Sequence, residues 1–396
     1  MKVSLSFNRH FPNPEKVTEA APFLNPLGPD IILGGQWAEQ SLADPIAPKN
    51  DTLFGPRGAV LTKPGGPLVI SDTGHHRLMI WNHLPIKDNT PCDFIIGQHD
   101  CESEGRNGKQ DPHAASLNVP TGIASDGTAL AVADSWNNRV LIWHQMPERQ
   151  NQPADVVVGQ TNFTDTLANQ GSSVGRGTLN WCYGVSIWQG NLVVADTGNR
   201  RVLIWEGLPQ KNGSAAELVL GQKDFVSRDE NAGLDAGAYG MRWPHGIAFV
   251  ESKILVSDAG NNRIMVWKKR PETPGEPCDF VLGQQDLISL EHNQAAYLPT
   301  EHTLNMPYDV TQWGNQIIVA DTANSRLLAW PNHQISQNAP ANGLAGQPDF
   351  ASKGDNRWQS PQRDSLCWPY GLSTMGQTLI VTDTGNNRVM IWGGME

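Results

Sequence analysis

Apolar residues fall along this chain in short runs broken by Gly, Pro, Asn and Asp, and no long stretch repeats them at the 3.6-residue spacing of an amphipathic helix. Residues 117–160 show the pattern. Leu117 to Ala124 reads as a loop leading into a strand, Asp126-Gly127 is a turn, and Ala129 to Ala133 is a second, mostly apolar strand. Asp134 ends that strand, and four turn-type residues follow it. Arg139 to Trp143 is a third strand, residues 147–153 are a polar loop, and Asp155 to Gln160 is a fourth strand closed by Gly-Gln. The unit is four short antiparallel strands.

The unit recurs. The stretch Asp134 to Trp143, Asp-Ser-Trp-Asn-Asn-Arg-Val-Leu-Ile-Trp, has counterparts beginning at Asp72, Asp196, Asp258, Asp321 and Asp383, at intervals of 62 residues and once 63. Each copy carries Arg five residues on (Arg77, Arg139, Arg201, Arg263, Arg326, Arg388) and ends in Trp (Trp81, Trp143, Trp205, Trp267, Trp330, Trp392). A four-stranded blade cannot bury both of its faces alone, so six copies predict an all-β fold, a six-bladed β-propeller whose blades stack around an axis.

Gly-Gln also occurs six times, ending at Gln36, Gln98, Gln160, Gln222, Gln284 and Gln347. The first copy precedes every Asp-to-Trp stretch, and the last Asp-to-Trp stretch has none after it. The strand around residues 30–36 is therefore expected to complete the last blade and close the ring without an open seam. This divides the chain into an N-terminal extension, 1–29, and one propeller, 30–396. Between blades run connectors, roughly residues 37–53, 99–117, 161–179, 223–241, 285–304 and 348–366, longer than ordinary hairpin loops and expected to crowd one face.

Composition narrows the partners. Lys and Arg total 29 against 40 Asp and Glu, a net charge of −11, which disfavours nucleic acid and anionic membranes. No stretch approaches the ~18 apolar residues of a membrane span. Residues 1–10 contain no apolar run of the secretory type, and the five cysteines show no CxxC, so reduced thiols in the cytoplasm are expected.

Asp383 to Trp392, Asp-Thr-Gly-Asn-Asn-Arg-Val-Met-Ile-Trp, preceded by Pro369-x-Gly371, resembles the NHL-repeat family of six-bladed propellers over about residues 30–392. The resemblance implies a fold shared by ubiquitin-ligase modules, kinase sensor domains and one lyase class, and so does not fix a function. RNA binding occurs among such modules and is opposed here by the acidic balance.

The six-fold Asp and Arg are structural candidates. The Asp is expected to accept N–H bonds from the turn that follows it, the Arg to offer its fork to a carboxylate or carbonyls, and the Trp to pack between blades. His75-His76 departs from the turn pattern and is weighed as a metal-binding turn against a solvent-exposed substitution. Cys182 and Cys367 are small residues near the mouth. Cys92 and Cys278, both in Pro-Cys-Asp-Phe, recur as packing residues.

A ligand site needs broken symmetry, and the loops leading into the innermost strands supply it. The residue before the Gly of Pro-x-Gly is Arg57, Thr121, Tyr183, His245, Tyr308 or Tyr370. Two residues earlier stand Gly55, Val119, Trp181, Trp243, Met306 and Trp368, and Asp309 replaces one of the glycines. Ringing the channel mouth, Arg57 would face His245, Thr121 would face Tyr308 and Tyr183 would face Tyr370. The peptidyl-hydroxyglycine lyase, a distantly similar propeller, places zinc-binding His at this position in three blades. Here only Pro244-His245-Gly246 matches, so His245 is the first candidate for a divalent metal on the axis but the three-histidine site is absent. His113 and His302, in the connectors, are further candidates.

Two functions remain open. The first is a binding or scaffold propeller that holds a protein, peptide or small polar ligand at Arg57, Thr121, Tyr183, His245, Tyr308, Asp309, Tyr370, Trp181, Trp243 and Trp368. The second is a lyase or hydrolase using His245 and a Tyr, with or without a metal.

Overall fold

A computed structural model describes residues 20–34 and 46–393. Gly35-Gln36 and much of the first connector lie outside that range. Within it stand six four-stranded antiparallel blades: residues 58–96, 120–158, 185–220, 244–282, 307–345, and 369–392 with the N-terminal strand Ile31–Leu33. In blade 2 the strands are Pro120–Ser125, Leu130–Asp134, Arg139–Trp143 and Val156–Val158, close to the expected bounds. The first strand of every blade is innermost, and the six innermost strands pack around the axis with the sixth against the first. Closure is as expected: Ile31, Ile32 and Leu33 pair antiparallel with Ile391, Met390 and Val389.

Where it is described, the chain before this strand packs on the propeller. Ala21–Pro22 adds a parallel strand outside Gly343–Ala345 of blade 5, and Phe23 and Leu24 pack against the core between blades 5 and 6. Two residues of strand made of Ala and Pro carry too little pattern to be read as a strand. Among the described residues no helix is long and apolar enough to cross a membrane.

The core is six apolar clusters, one in each gap between blades, and each contains one of the repeated tryptophans. Five indole N–H groups also donate to the carbonyl nine residues on, as Trp143 does to Gln152. The tryptophans thus pack between blades and staple the loop to the fourth strand.

The repeated Asp–Arg pairs are fully buried, with Nε to Oδ2 distances of 2.6–2.9 Å. Burying an ion pair is stabilising only if its remaining donors and acceptors are also satisfied. Here Arg263 also donates to the carbonyls of Leu287, Gly237 and Gly240, joining three segments of chain. The backbone N–H accepted by each Asp comes from the loop leading into the innermost strand, sixteen residues upstream in five blades and eighteen in blade 1, and not from the following turn: Asn118 for Asp134, Arg242 for Asp258, Phe54 for Asp72. The following turn contributes a side-chain amide instead, as Asn137 does to Asp134 and Asn261 to Asp258. Each of these Asn bonds a connector asparagine held at positive φ: Asn107, Asn169, Asn231, Asn293 or Asn356. The connectors are therefore shaped by the same repeat.

In blade 1 His75 takes the asparagine's place. Its Nδ1 lies 2.8 Å from Asp72 and its Nε2 2.9 Å from the Ile46 carbonyl, so both nitrogens are engaged and the ring is buried. The residue after it, His76, adopts φ 56° and accepts the Val119 N–H on Nδ1. The double-histidine turn is a structural part, neither a metal turn nor a solvent-exposed substitution.

His76 exemplifies a clasp between blades. Asn138, Asn262, Ser325 and Asn387 likewise accept the N–H of Trp181, Met306, Trp368 and Gly55 in the next blade. A second clasp is a hydroxyl: Thr73, Ser135, Thr197, Thr322 and Thr384 donate to the carbonyls of Pro120, Cys182, Pro244, Pro369 and Pro56. Blade 4 lacks one clasp on each side. Arg200, which cannot accept, stands where blade 3 would hold Trp243, and Ala259, without a hydroxyl, stands where blade 4 would hold Pro307.

Candidate functional site

The innermost strands approach one another through glycine. A Cβ at Gly58, Gly122, Gly184 or Gly371 would run into the carbonyl of Thr121, Tyr183, His245 or Arg57 on the next blade. This belt forces the residue before each glycine toward the axis, which is why Pro-x-Gly registers the channel. Five of the six side chains there do not line an open ring but collapse into a plug. His245 stacks on Tyr308 at 4.3 Å and 10°, and lies 4.3 Å from Tyr183; Tyr308 meets Tyr370 edge-on at 4.4 Å. The Arg57 guanidinium lies 5.0 Å from the Tyr370 ring and 6.0 Å from that of Tyr183, between the two rings expected to face each other. Cation–π contact of this kind is worth about 0.5–2 kcal/mol and leaves the donors of the guanidinium available.

Thr121 does not join the plug. Its hydroxyl is turned into the wall, 2.6 Å from Ser135 and 2.9 Å from the Tyr183 carbonyl, so it does not face Tyr308. Trp181 meets His245 edge-on at 6.1 Å from outside the plug, and Trp243 lies under Arg242. Trp368 is exposed. His113 and His302 are engaged with the backbone of their own connectors and neighbours.

Behind the plug is a cavity of about 370 Å³, walled by all six innermost strands. Arg57, Tyr183, His245, Tyr308, Asp309 and Tyr370 line it; Thr121, Trp181, Trp243 and Trp368 do not. Its far end is flanked by Trp188 and Phe249, stacked at 4.5 Å and 7°. The polar wall residues Thr311, Gln312, Ser373 and Thr374 escape the Pro-x-Gly reading, although they follow the same register a few residues on. The size falls within the ~300–1,000 Å³ of small-molecule sites.

Among the described residues, two charged groups in this cavity have no ion-pair partner. Arg57 is subject to burial and to the phenol oxygens of Tyr183, Tyr370 and Tyr308, whose joint effect holds its pKa above the ordinary value; no carboxylate is among them. Asp309, standing in the glycine belt, accepts the N–H of Leu372 in blade 6 at 2.7 Å and of Val310 at 2.8 Å. Burial pushes its carboxyl up to about 7 against the pull of those two amides, and no cation assists them. His245 donates Nδ1–H to the Trp243 carbonyl at 2.8 Å, and burial drives its pKa down to about 4. At neutral pH it is an uncharged imidazole.

A metal does not fit this donor set. His245 is the one imidazole in the plug, flanked by the rings of Tyr183 and Tyr308, and among the described residues no three His, Cys, Asp or Glu side chains gather as ligands. The thiols also stay out of the cavity: burial pushes Cys182 well up and Cys367 up to about 12.

No family model matches the chain, and no curated protein does either. Among solved structures it is similar to the WD40 beta propeller domain of Doa1, at 10% identity and TM-score 0.46 over 92% of this chain and 96% of that one. It is similar to hydrazine synthase of Kuenenia stuttgartiensis, at 11% identity and TM-score 0.49 over 89% and 97%. A third is a chain of the Nidogen/Laminin complex, at 16% identity and TM-score 0.40 over 73% and 83%.

Proposed function

We propose that this is a binding propeller of NHL type whose central cavity holds a small ligand bearing an anionic group, anchored by Arg57. The observation that carries the reading is a largely buried guanidinium that lines the cavity with no carboxylate among the described residues acting on it. A buried charge is costly unless paired, so a carboxylate or phosphate offered by a ligand would gain a forked, charge-assisted contact at a site already desolvated. Asp309 supplies an acceptor, or in its protonated form a donor, on the same cavity wall.

The test is a thermal-shift panel of small carboxylates and phosphate monoesters on the wild-type protein and on Arg57→Met. At least one anion should raise the melting temperature, by the equivalent of about 2.7 kcal/mol at a hundred times its Kd, and the rise should vanish in Arg57→Met. No shift with any anion, or an equal shift in the variant, would overturn the reading.

One observation favours a second reading, catalysis: a carboxyl with a pKa of about 7 is suited to general acid–base work near neutrality. On that reading Asp309→Asn abolishes turnover of a bound ligand and leaves its affinity largely intact, whereas a pure binder shows no turnover to lose.

A further inference from the structure

The repeat fixes two equivalent positions in five blades, and only blade 1 fills both with cysteine. The first position is Cys92, Ala154, Ala216, Cys278 and Ala341, each donating its N–H to the connector that leads into its own blade, at Asn50, Ala114, Arg176, Ala238 and Glu301. The second is Cys101, Phe163, Phe225, Leu287 and Phe350, whose carbonyls all receive Nη1 of the repeated arginine. In every one of these blades the two positions share an apolar cluster, a small residue beside a large one. Blade 1 replaces small against large by thiol against thiol, with Cys101 packed against the cluster that contains Cys92 and the two thiols interacting through their side chains.

We propose that Cys92 and Cys101 are a redox-responsive pair that closes to a disulfide, bridging the start of the outermost strand of blade 1 to the connector toward blade 2. The backbone at both positions is held by the repeat's own hydrogen bonds, and both side chains belong to the same apolar cluster. Cys92 is buried, whereas Cys101 is partly exposed and is the sulfur a reagent reaches first. With a low-molecular-weight disulfide as oxidant, the Cys101 thiolate attacks one sulfur of the reagent and expels a thiolate, giving a mixed disulfide. The Cys92 thiol then loses its proton and attacks the Cys101 sulfur, expelling the second thiolate. One reagent disulfide is reduced to two thiols and one protein disulfide is formed. Excess small thiol reverses both steps.

Both cysteines fall in one tryptic segment, residues 88–106, between Lys87 and Arg106. The folded full chain is incubated with oxidised glutathione, quenched in acid, denatured, alkylated and digested without reduction. The expected product is segment 88–106 two hydrogens lighter than the reduced form and carrying no alkyl group, with Cys278, whose partner position is Leu287, fully alkylated. Cys101→Ser should leave Cys92 fully alkylated under the same conditions. Alkylation of both Cys92 and Cys101 in the wild type overturns the proposal. So does a Cys101–glutathione mixed disulfide that persists with Cys92 free.

Discussion

The frame and the axis of this propeller are built by opposite rules. In the frame six Asp–Arg pairs join the second and third strands with the same geometry, each Arg Nε bonding its Asp while further donors reach connector carbonyls, and the pairs are inaccessible to solvent. At the axis six positions of the same register hold Arg, Thr, Tyr, His, Tyr and Tyr, and two charges stand without opposite charges. Repetition pairs the charged groups of the frame with one another and leaves no charge to offer a ligand. Irregularity leaves groups unsatisfied, and those are what a ligand can satisfy.

The comparison breaks most directly in the frame. Arg263→Ala removes the partner of buried Asp258 and strands the carbonyls of Leu287, Gly237 and Gly240. An uncompensated buried carboxylate of this kind costs about 3–5 kcal/mol, read as a lowered urea midpoint. A loss below about 1 kcal/mol would mean that the pairs are decoration and that the tryptophan clusters hold the ring alone.

The axis should reveal itself through pH. His245 is driven from 6.5 to about 4 by burial, so the folded state excludes a proton that the unfolded chain accepts. Its contribution is whole above pH 6.5 and is lost as the pH falls through 4, to a total of about 3 kcal/mol. Asp309 acts with the opposite sign. Raised from 3.8 to about 7, it favours the fold fully below 3.8 and loses that contribution as the pH rises through 7. His245→Gln should flatten the acid limb of the stability profile and Asp309→Asn the limb approaching neutrality. A profile unchanged by both variants would show that the plug is more hydrated than its packing implies.

Much of this was legible in the chain. The Asp-to-Trp period gave the blades, the displaced Gly-Gln gave the closing strand, and Pro-x-Gly pointed to the five side chains that meet in the plug. What escaped is instructive because it lay at the same period. Asn107, Asn169, Asn231, Asn293 and Asn356 are spaced like the aspartates, yet in loops that look variable they passed unnoticed, although they bond the Asn of the next turn. Direction was the other gap. A register says that Thr121 and His245 occupy like positions, but whether a side chain enters the channel depends on its alternatives. Thr121 finds Ser135 and a carbonyl in the wall, whereas tyrosine and histidine rings are too large for the wall and fill the axis.

The smallest effects sharpen the comparison at blade 4, where the frame's regularity lapses beside His245. Ala259→Thr restores the hydroxyl that the other junctions possess, and a hydrogen bond to the Pro307 carbonyl should add about 0.5–1.5 kcal/mol. Arg200→Asn should add less, although it supplies the missing acceptor and suits φ 57° better than arginine does. The reason lies in Trp243. Trp181 and Trp368, whose N–H groups are clasped, adopt φ of 48° and 51°, while unclasped Trp243 does not take the left-handed form and gives its carbonyl to His245. Pulling Trp243 into the clasped conformation reorients that carbonyl, so the new bond forms at the expense of the one that fixes the imidazole. Arg200→Asn should therefore shift the His245 titration, followed by NMR, while Ala259→Thr leaves it in place. Equal stabilisation by the two, with no movement of His245, would mean that the lapse in the frame and the histidine on the axis are unrelated.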